Sequence, residues 1–300
     1  MSTKTKNIDD LYSDLVQSIL EEGEWSENRT GIRTLFKIGH YMKIDCSEYF
    51  PLLTTKRVYW KSAFSEMLGF IRGYDNAAEF RKLGCKVWDQ NANENKEWLE
   101  NPYRTGQDDL GQIYGVQWRY WYDEVNKTHI DQLQKVITDL SNGVDNRREI
   151  ITAWNPSRLT QMALPPCHYT MIFSLTNNKT TLDLSLFIRS NDVFLGNPYN
   201  ISQYAFLLHL MARITNKKVG NLHYHSTNVH IYENHMNQIR EQISRTPKIQ
   251  KPQIHFHGAA KRLSGDDLFE FIETTDIPLD NWVQIIGYNP HPAIKAPMAV

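Results

Sequence analysis

Only three of the 300 residues are cysteine, at positions 46, 85 and 167. Such wide spacing offers no disulfide framework and no C-x-x-C metal knuckle, which fits a reducing, cytoplasmic compartment. No apolar run approaches the ~20 residues that span a bilayer, so no membrane association is expected. The segment before Asp10 is polar and lacks the apolar stretch of a secretory signal. Net charge is almost absent: 33 Lys and Arg stand against 34 Asp and Glu, giving −1. A broad nucleic-acid-binding surface is therefore not expected, although a local basic pocket for one phosphate stays open. Internal repeats, low-complexity tracts and Gly/Ser linkers are missing as well. What remains is 41% hydrophobic, 22% charged and 12% aromatic, the balance of a folded globular chain. Its length suffices for one large core or two modest domains.

Apolar periodicity predicts a helix over 9–22, with Leu11, Leu15 and Ile19 on one face and Gly23 as its stop. A strand is expected over 32–45, carrying Leu35, Ile38 and Met42. A second helix is expected over 59–72, with Trp60, Ala63, Phe64, Met67 and Ile71 aligned. Glu66 lies at the edge of that stripe, where a solvated carboxylate is the plainer reading. Residues 90–109 are polar and turn-rich, and read as a small surface insertion or loop. A helix follows over 130–141 and a short strand over 149–154. Two strands, 169–176 and 180–190, flank Asn177-Asn178-Lys179, a hairpin signal. In the second, Leu182, Leu184, Leu186 and Ile188 alternate with Asp183, Ser185, Phe187 and Arg189, so Arg189 faces away from the leucines. An apolar helix spans 200–215, with Asn200 expected at its N-cap.

The chemistry concentrates around Pro165-Pro166-Cys167-His168, followed by Arg189-Ser190-Asn191-Asp192 and Gly196-Asn197-Pro198-Tyr199-Asn200. A rigidly placed thiol can attack, a nearby arginine can hold an anion and favour the thiolate, and an amide can read a polar ring edge. Cys46 and Cys85 read instead as small buried hydrophobes. His223-x-His225 and His255-x-His257 have a spacing seen in metal sites. No motif fixes a third ligand, so no metal site is expected.

These motifs resemble the thymidylate synthase family, and the likeness runs through nearly the whole chain. It includes Asn28-Arg29-Thr30-Gly31, Phe50-Pro51-Leu52-Leu53-Thr54-Thr55-Lys56-Arg57, Val87-Trp88-Asp89, Asp109-Leu110-Gly111-Gln112-Ile113-Tyr114-Gly115 and Arg147-Arg148. It continues through Ala153-Trp154-Asn155-Pro156, the cysteine motif, His230-Ile231-Tyr232 and Gly287-Tyr288-Asn289-Pro290-His291-Pro292, to Ala299-Val300. The resemblance implies an α/β fold with three layers: a large mixed sheet, helices on one face, and the sheet of a homodimer partner on the other. It implies one catalytic domain over 1–300.

The resemblance also implies a reaction: dUMP and 5,10-methylenetetrahydrofolate, a co-substrate, give dTMP and dihydrofolate. Cys167 would add to C6 of the pyrimidine and so make C5 nucleophilic. Arg29, Arg189 and Ser190 match phosphate-binding positions, as do Arg147 and Arg148, which in this family reach into the partner's site. Asn200 matches the reader of the pyrimidine edge, accepting from N3–H and donating to O4 of uracil. His230 and Tyr232 match holders of the sugar 3′-hydroxyl. Glu66 and Tyr114 match proton-handling residues. Trp88, Leu164, Asp192, Leu195 and Tyr199 match the folate side, and Ala299 the closing tail. Asn91, Tyr59, Ile188, Asn197, Tyr199, Ser202 and Gln203 depart from the commonest family pattern. Several add polarity where base and folate meet, which keeps hydroxymethylation of dUMP or dCMP open as an alternative reaction. RNA binding, known for some members, is a further alternative; the near-zero net charge speaks against it as the main role.

Overall fold

The frame of the molecule is a six-stranded sheet in the order β1-β2-β8-β7-β6-β5. The computed structural model describes residues 6–28 and 30–297. Its strands are β1 (Glu24–Ser26), β2 (Thr34–Asp45), β3 (Trp121–Asp123), β4 (Thr128–Ile130), β5 (Ile150–Thr152), β6 (His168–Thr176), β7 (Thr181–Asp192), β8 (Lys218–Tyr232), β9 (Gln253–Phe256) and β10 (Val283–Ile286). Its α-helices are α1 (Ile8–Glu22), α2 (Trp60–Ile71), α3 (Ala77–Lys82), α4 (Asp89–Asn93), α5 (Lys96–Leu99), α6 (Tyr114–Arg119), α7 (Gln132–Ser141), α8 (Gly196–Ile214), α9 (Met236–Ser244) and α10 (Gly265–Thr274). β7 and β8 pair in parallel across the α8 crossover, while the other contacts in the sheet are antiparallel. The sheet is thus mixed and the fold α/β, as expected.

Period-two patterning decides which side of β7 faces the helices. Leu182, Leu184, Leu186 and Ile188 are buried, whereas Ser185, Phe187 and Arg189 keep some exposure on the other face. In β2 the inward set changes parity, from Leu35 to Met42 and Ile44, and Ile38 stands exposed. Gly39 marks the change. It lies between the paired residues Ile38 and His40 and has φ +81, a local departure from extended backbone at the point where the burial pattern changes, while the register with β8 continues unbroken across it. The tight turn from β6 to β7 takes Asn177, Asn178 and Lys179 through positive φ in succession.

Two expectations need correction here. Residues 90–109 are not simply a loop: they complete α4 and form α5, and Trp98 is buried with its indole N–H donating to the Asp109 carbonyl at 2.7 Å. The polar run concealed one aromatic anchor. The long apolar helix α8 starts at Gly196, so Asn200 lies inside it and Leu195 occupies the N-cap position. Pro198 is compatible with this earlier start, because a first-turn residue needs no helical N–H partner.

Candidate active site

Cys167 sits at the entrance to β6, and its backbone is held at both ends. Its N–H donates to the Tyr114 hydroxyl at 2.8 Å, and its carbonyl accepts from Arg189 N–H at 2.9 Å. The Arg189 guanidinium turns back along the same segment. Nε donates to the Pro166 carbonyl at 2.9 Å and Nη2 to the Pro165 carbonyl at 3.0 Å, with Nη2 4.0 Å from Cys167 Sγ. It also stacks 5.6 Å from the Trp154 ring centre. Main-chain carbonyls orient this cation, so its charge stays available beside the sulfur. The other cysteines live differently. Burial raises the thiol pKa of both, Cys85 to about 12, with the charge of Glu66 adding to the effect. Neither is a nucleophile at neutral pH.

Glu66 is not a solvated carboxylate. It is half-buried on α2, and its Oε2 accepts from Gln203 Nε2 on α8 at 2.8 Å. Desolvation pushes its pKa up to about 7, opposed by the Gln203 amide and the Trp88 indole. The Trp88 indole nitrogen is itself buried without a well-formed hydrogen bond, so it acts on Glu66 mainly through its dipole. Tyr114 is buried at the start of α6, and its ring lies 5.8 Å from Trp88 and 4.3 Å from His168. His168 Nδ1 meets the Tyr204 hydroxyl at 2.5 Å, and burial drives its pKa down to about 3, which keeps the ring neutral. Gln203 stood out in the sequence only as a polar departure from the family pattern, and His168 only as part of the cysteine motif; their bonds to Glu66 and Tyr204 join distant elements and leave no local signal.

The sheet brings further residues to the same end. Parallel pairing sets Ser190 opposite Asn228 and Asp192 opposite His230. Asp192 Oδ1 accepts from the N–H groups of Phe194 and Leu195 at 3.0 and 3.2 Å, which shapes the entry to α8. His230 Nδ1 bonds Asn228 Oδ1 at 2.9 Å, and its ring stands edge-on to Tyr232 at 5.2 Å. Leu164, Leu195 and Tyr199 are partly buried against the core. Lys56, which the functional reading of the sequence passed over, is buried near Asp192. Its ammonium bonds the Phe194 carbonyl, and burial lowers its pKa to about 7.

Arg147 and Arg148 are not part of this cluster. Both are exposed just before β5, and Glu149 is bonded opposite Phe173. Arg148 therefore lies level with Ser174, seven residues along β6 from Cys167, or roughly 20 Å at strand rise. Arg29 and Ala299 lie outside the described residues. Among the described residues no group of three or more His, Cys, Asp or Glu is arranged to hold a metal. His223 instead bonds Asp183 at 3.2 Å and the Tyr41 hydroxyl at 2.8 Å, and His255 stacks on His257. No helix of the described residues is long and apolar enough to cross a membrane. A cavity of about 790 Å³ opens beside the far end of α8, lined by residues such as His209, Arg213 and Lys217. It contains neither Cys167 nor Glu66.

A partly exposed thiol beside an oriented guanidinium, with a carboxyl group that titrates near neutrality, defines a thiol-dependent group-transfer enzyme on an α/β frame. The sequence matches the thymidylate synthase family profile over residues 10–300, and the chain belongs to that family. It is 44% identical to the thymidylate synthases of Pasteurella multocida and Vibrio atlanticus, and 39% identical to that of Bordetella parapertussis. Each alignment covers 96% of this chain and 99% of the relative.

Proposed function

We propose that this chain converts dUMP to dTMP, with 5,10-methylenetetrahydrofolate as co-substrate. The observation that carries the reading is the Cys167–Arg189–Tyr114 arrangement within a full-length family match. Cys167 adds to C6 of the base. This moves electron density to C5 and O4, and the sulfur leaves again after C5 has been substituted. Arg189 favours the thiolate and, with Ser190, Arg29 and the partner's pair of arginines, holds the nucleotide phosphate. Asn200 reads N3–H and O4 of uracil, and His230 with Tyr232 hold the sugar 3′-hydroxyl. Glu66, neutral or charged near pH 7, organises proton movement at O4, and Tyr114 serves removal of the C5 proton.

The folate supplies the one-carbon unit and the hydride. The residues fit it. Trp88, Leu164, Leu195 and Tyr199 offer an aromatic and apolar lining. Asp192 has one oxygen committed to the loop, leaving the other for a ring N–H. The family resemblance gives Ala299 the role of keeping water from the reacting carbon. With dUMP and the folate, dihydrofolate absorbance should rise and the nucleotide should gain the mass of one methylene. A product heavier by one further oxygen, without dihydrofolate, would mean hydroxymethylation instead.

Residues 1–300 act as one catalytic domain in a reducing cytoplasm, where Cys167 stays reduced. The chain works as a homodimer through the sheet face that carries Tyr41, Phe187 and His225. There the rings of Phe187 and His225 stack at 4.7 Å, while Tyr41 is half exposed. Because Arg147 and Arg148 lie far along β6 from Cys167 of their own chain, they serve the partner's site. Mixing inactive Cys167→Ser and Arg147→Ala subunits should restore activity, since one site of each hybrid regains both residues. Proven subunit exchange without recovery would refute the shared site.

A further inference from the structure

Glu66 has no cation to hold its charge. Asp108 shows the usual arrangement: the Arg81 fork donates to both its oxygens, at 2.9 and 2.7 Å, and holds its carboxyl down to about 2. Among the described residues, no lysine, arginine or histidine forms an ion pair with Glu66. The titratable groups that feel its charge are Cys85, Tyr114 on α6 and Tyr204 on α8, and burial keeps all three protonated at neutral pH. Trp88 adds only its indole dipole. The well-formed hydrogen bond to the carboxyl comes from α8, where Gln203 Nε2 donates to Oε2 at 2.8 Å. Gln203 is 1% exposed and follows and precedes the buried Ile201, Tyr204, Phe206 and Leu207. Burying an amide is unfavourable unless it is bonded, and the bond it makes is to Glu66.

We propose that Gln203 is a positioning residue that ties the Glu66 carboxyl to α8, keeps it able to ionise at neutral pH, and so sets the pH range in which protons move at O4 of the base. An ionised carboxylate only accepts, so the amide N–H must face it. Neutral Glu66 can also bond an amide, but a hydrogen bond to a charged group is about twice as strong as one between neutral groups. The net effect of Gln203 therefore favours the charged form against desolvation. Asn200 and Gln203 are three residues apart and share one face of α8. One rigid helix thus carries both the base reader and the holder of the carboxyl, which fixes the distance between them.

The inference rests on Glu66 handling a proton in turnover, and the test separates the two. Infrared titration of the Glu66 carboxyl, identified as the band that Glu66→Gln removes, reads the tie without turnover. The dependence of kcat on pH reads its use. Wild type, Gln203→Met and Gln203→Asn are compared, with circular dichroism as the check on folding. Methionine keeps the length without the amide; asparagine keeps the amide but falls one methylene short. In Gln203→Met the midpoint of the band and the inflection of kcat should both move upward by about one pH unit, so the charged fraction at pH 7 falls about fivefold. Gln203→Asn should move both in the same direction. A folded Gln203→Met with an unmoved midpoint, or with kcat lowered equally at every pH, would overturn the proposal. A wild-type pH profile in Glu66→Gln would overturn the proton role of Glu66, and the pH range assigned to Gln203 with it, even if the band midpoint shifts. If Gln203→Met does not fold, the midpoint in Gln203→Asn decides alone.

Discussion

Cys167 and Cys85 differ in almost every respect that governs a thiol. Cys167 is partly exposed, follows two prolines, and has a guanidinium 4.0 Å from its sulfur. Cys85 is fully buried, and the charge of Glu66 works against its ionisation. One chain therefore holds a reactive and an inert cysteine made of the same atoms. The sign of the nearest charge and access to water make the difference.

The largest expected effect tests that contrast directly. Cys167→Ser should lower turnover by at least about a thousandfold, because a serine hydroxyl at neutral pH does not replace a thiolate. The folded structure should persist, and dUMP should still bind. Cys85→Ser should leave kcat within about threefold. Near-full activity in the Cys167 variant would remove the distinction altogether.

Glu66 is the charge that works on Cys85, and its replacement sharpens the comparison. Glu66→Gln should reduce kcat by about 100-fold and abolish the pH dependence of kcat near 7. A stability effect accompanies it. The folded-state pKa of about 7 lies above the ordinary 4.5, so the folded protein holds this proton more tightly. The native advantage is fullest below the ordinary value and is lost as pH rises through about 7. The variant escapes this loss. Denaturation at pH 5 and pH 8 should show its stability relative to wild type rising with pH, by at most about 3 kcal/mol. Partial exposure of Glu66 will reduce that figure. A parallel pH dependence in both proteins would place the titration elsewhere.

The smallest effect concerns Cys85 as a packing residue. Replacing its sulfur by a hydroxyl should cost about 1 kcal/mol in chemical denaturation, the usual scale for a buried polar atom with incomplete partners. A thiol reagent under native conditions should modify Cys167 alone.

Much of the fold could be read along the chain, because burial on one side of a strand or helix writes a period. α1, α2, α7, β7 and the turn at Asn177 fall close to where that period ends. Gly39 shows where periodicity stops: one residue at φ +81 interrupts the extended backbone of β2, and Ile38 reads as core only if a single alternation is carried through it. Trp98 was lost in a polar run for the same reason, since one buried ring leaves no period. Within the site, Cys167, Arg189 and Asn200 came from local motifs. The bond between Gln203 and Glu66 joins residues 137 apart, and the Tyr204–His168 contact joins α8 to β6. Glu66 could look solvated in sequence because only tertiary packing removes its water.

The double tether of the Cys167 backbone has a mechanical consequence. With its N–H fixed to Tyr114, its carbonyl fixed to Arg189, and two prolines stiffening the approach, the cysteine has only its side-chain rotation left to spend. The sulfur cannot retreat when a ring carbon closes on it, nor follow that carbon as it leaves. The travel needed to make and break the carbon–sulfur bond must be supplied by the nucleotide, whose ring tilts toward a fixed post and away from it again.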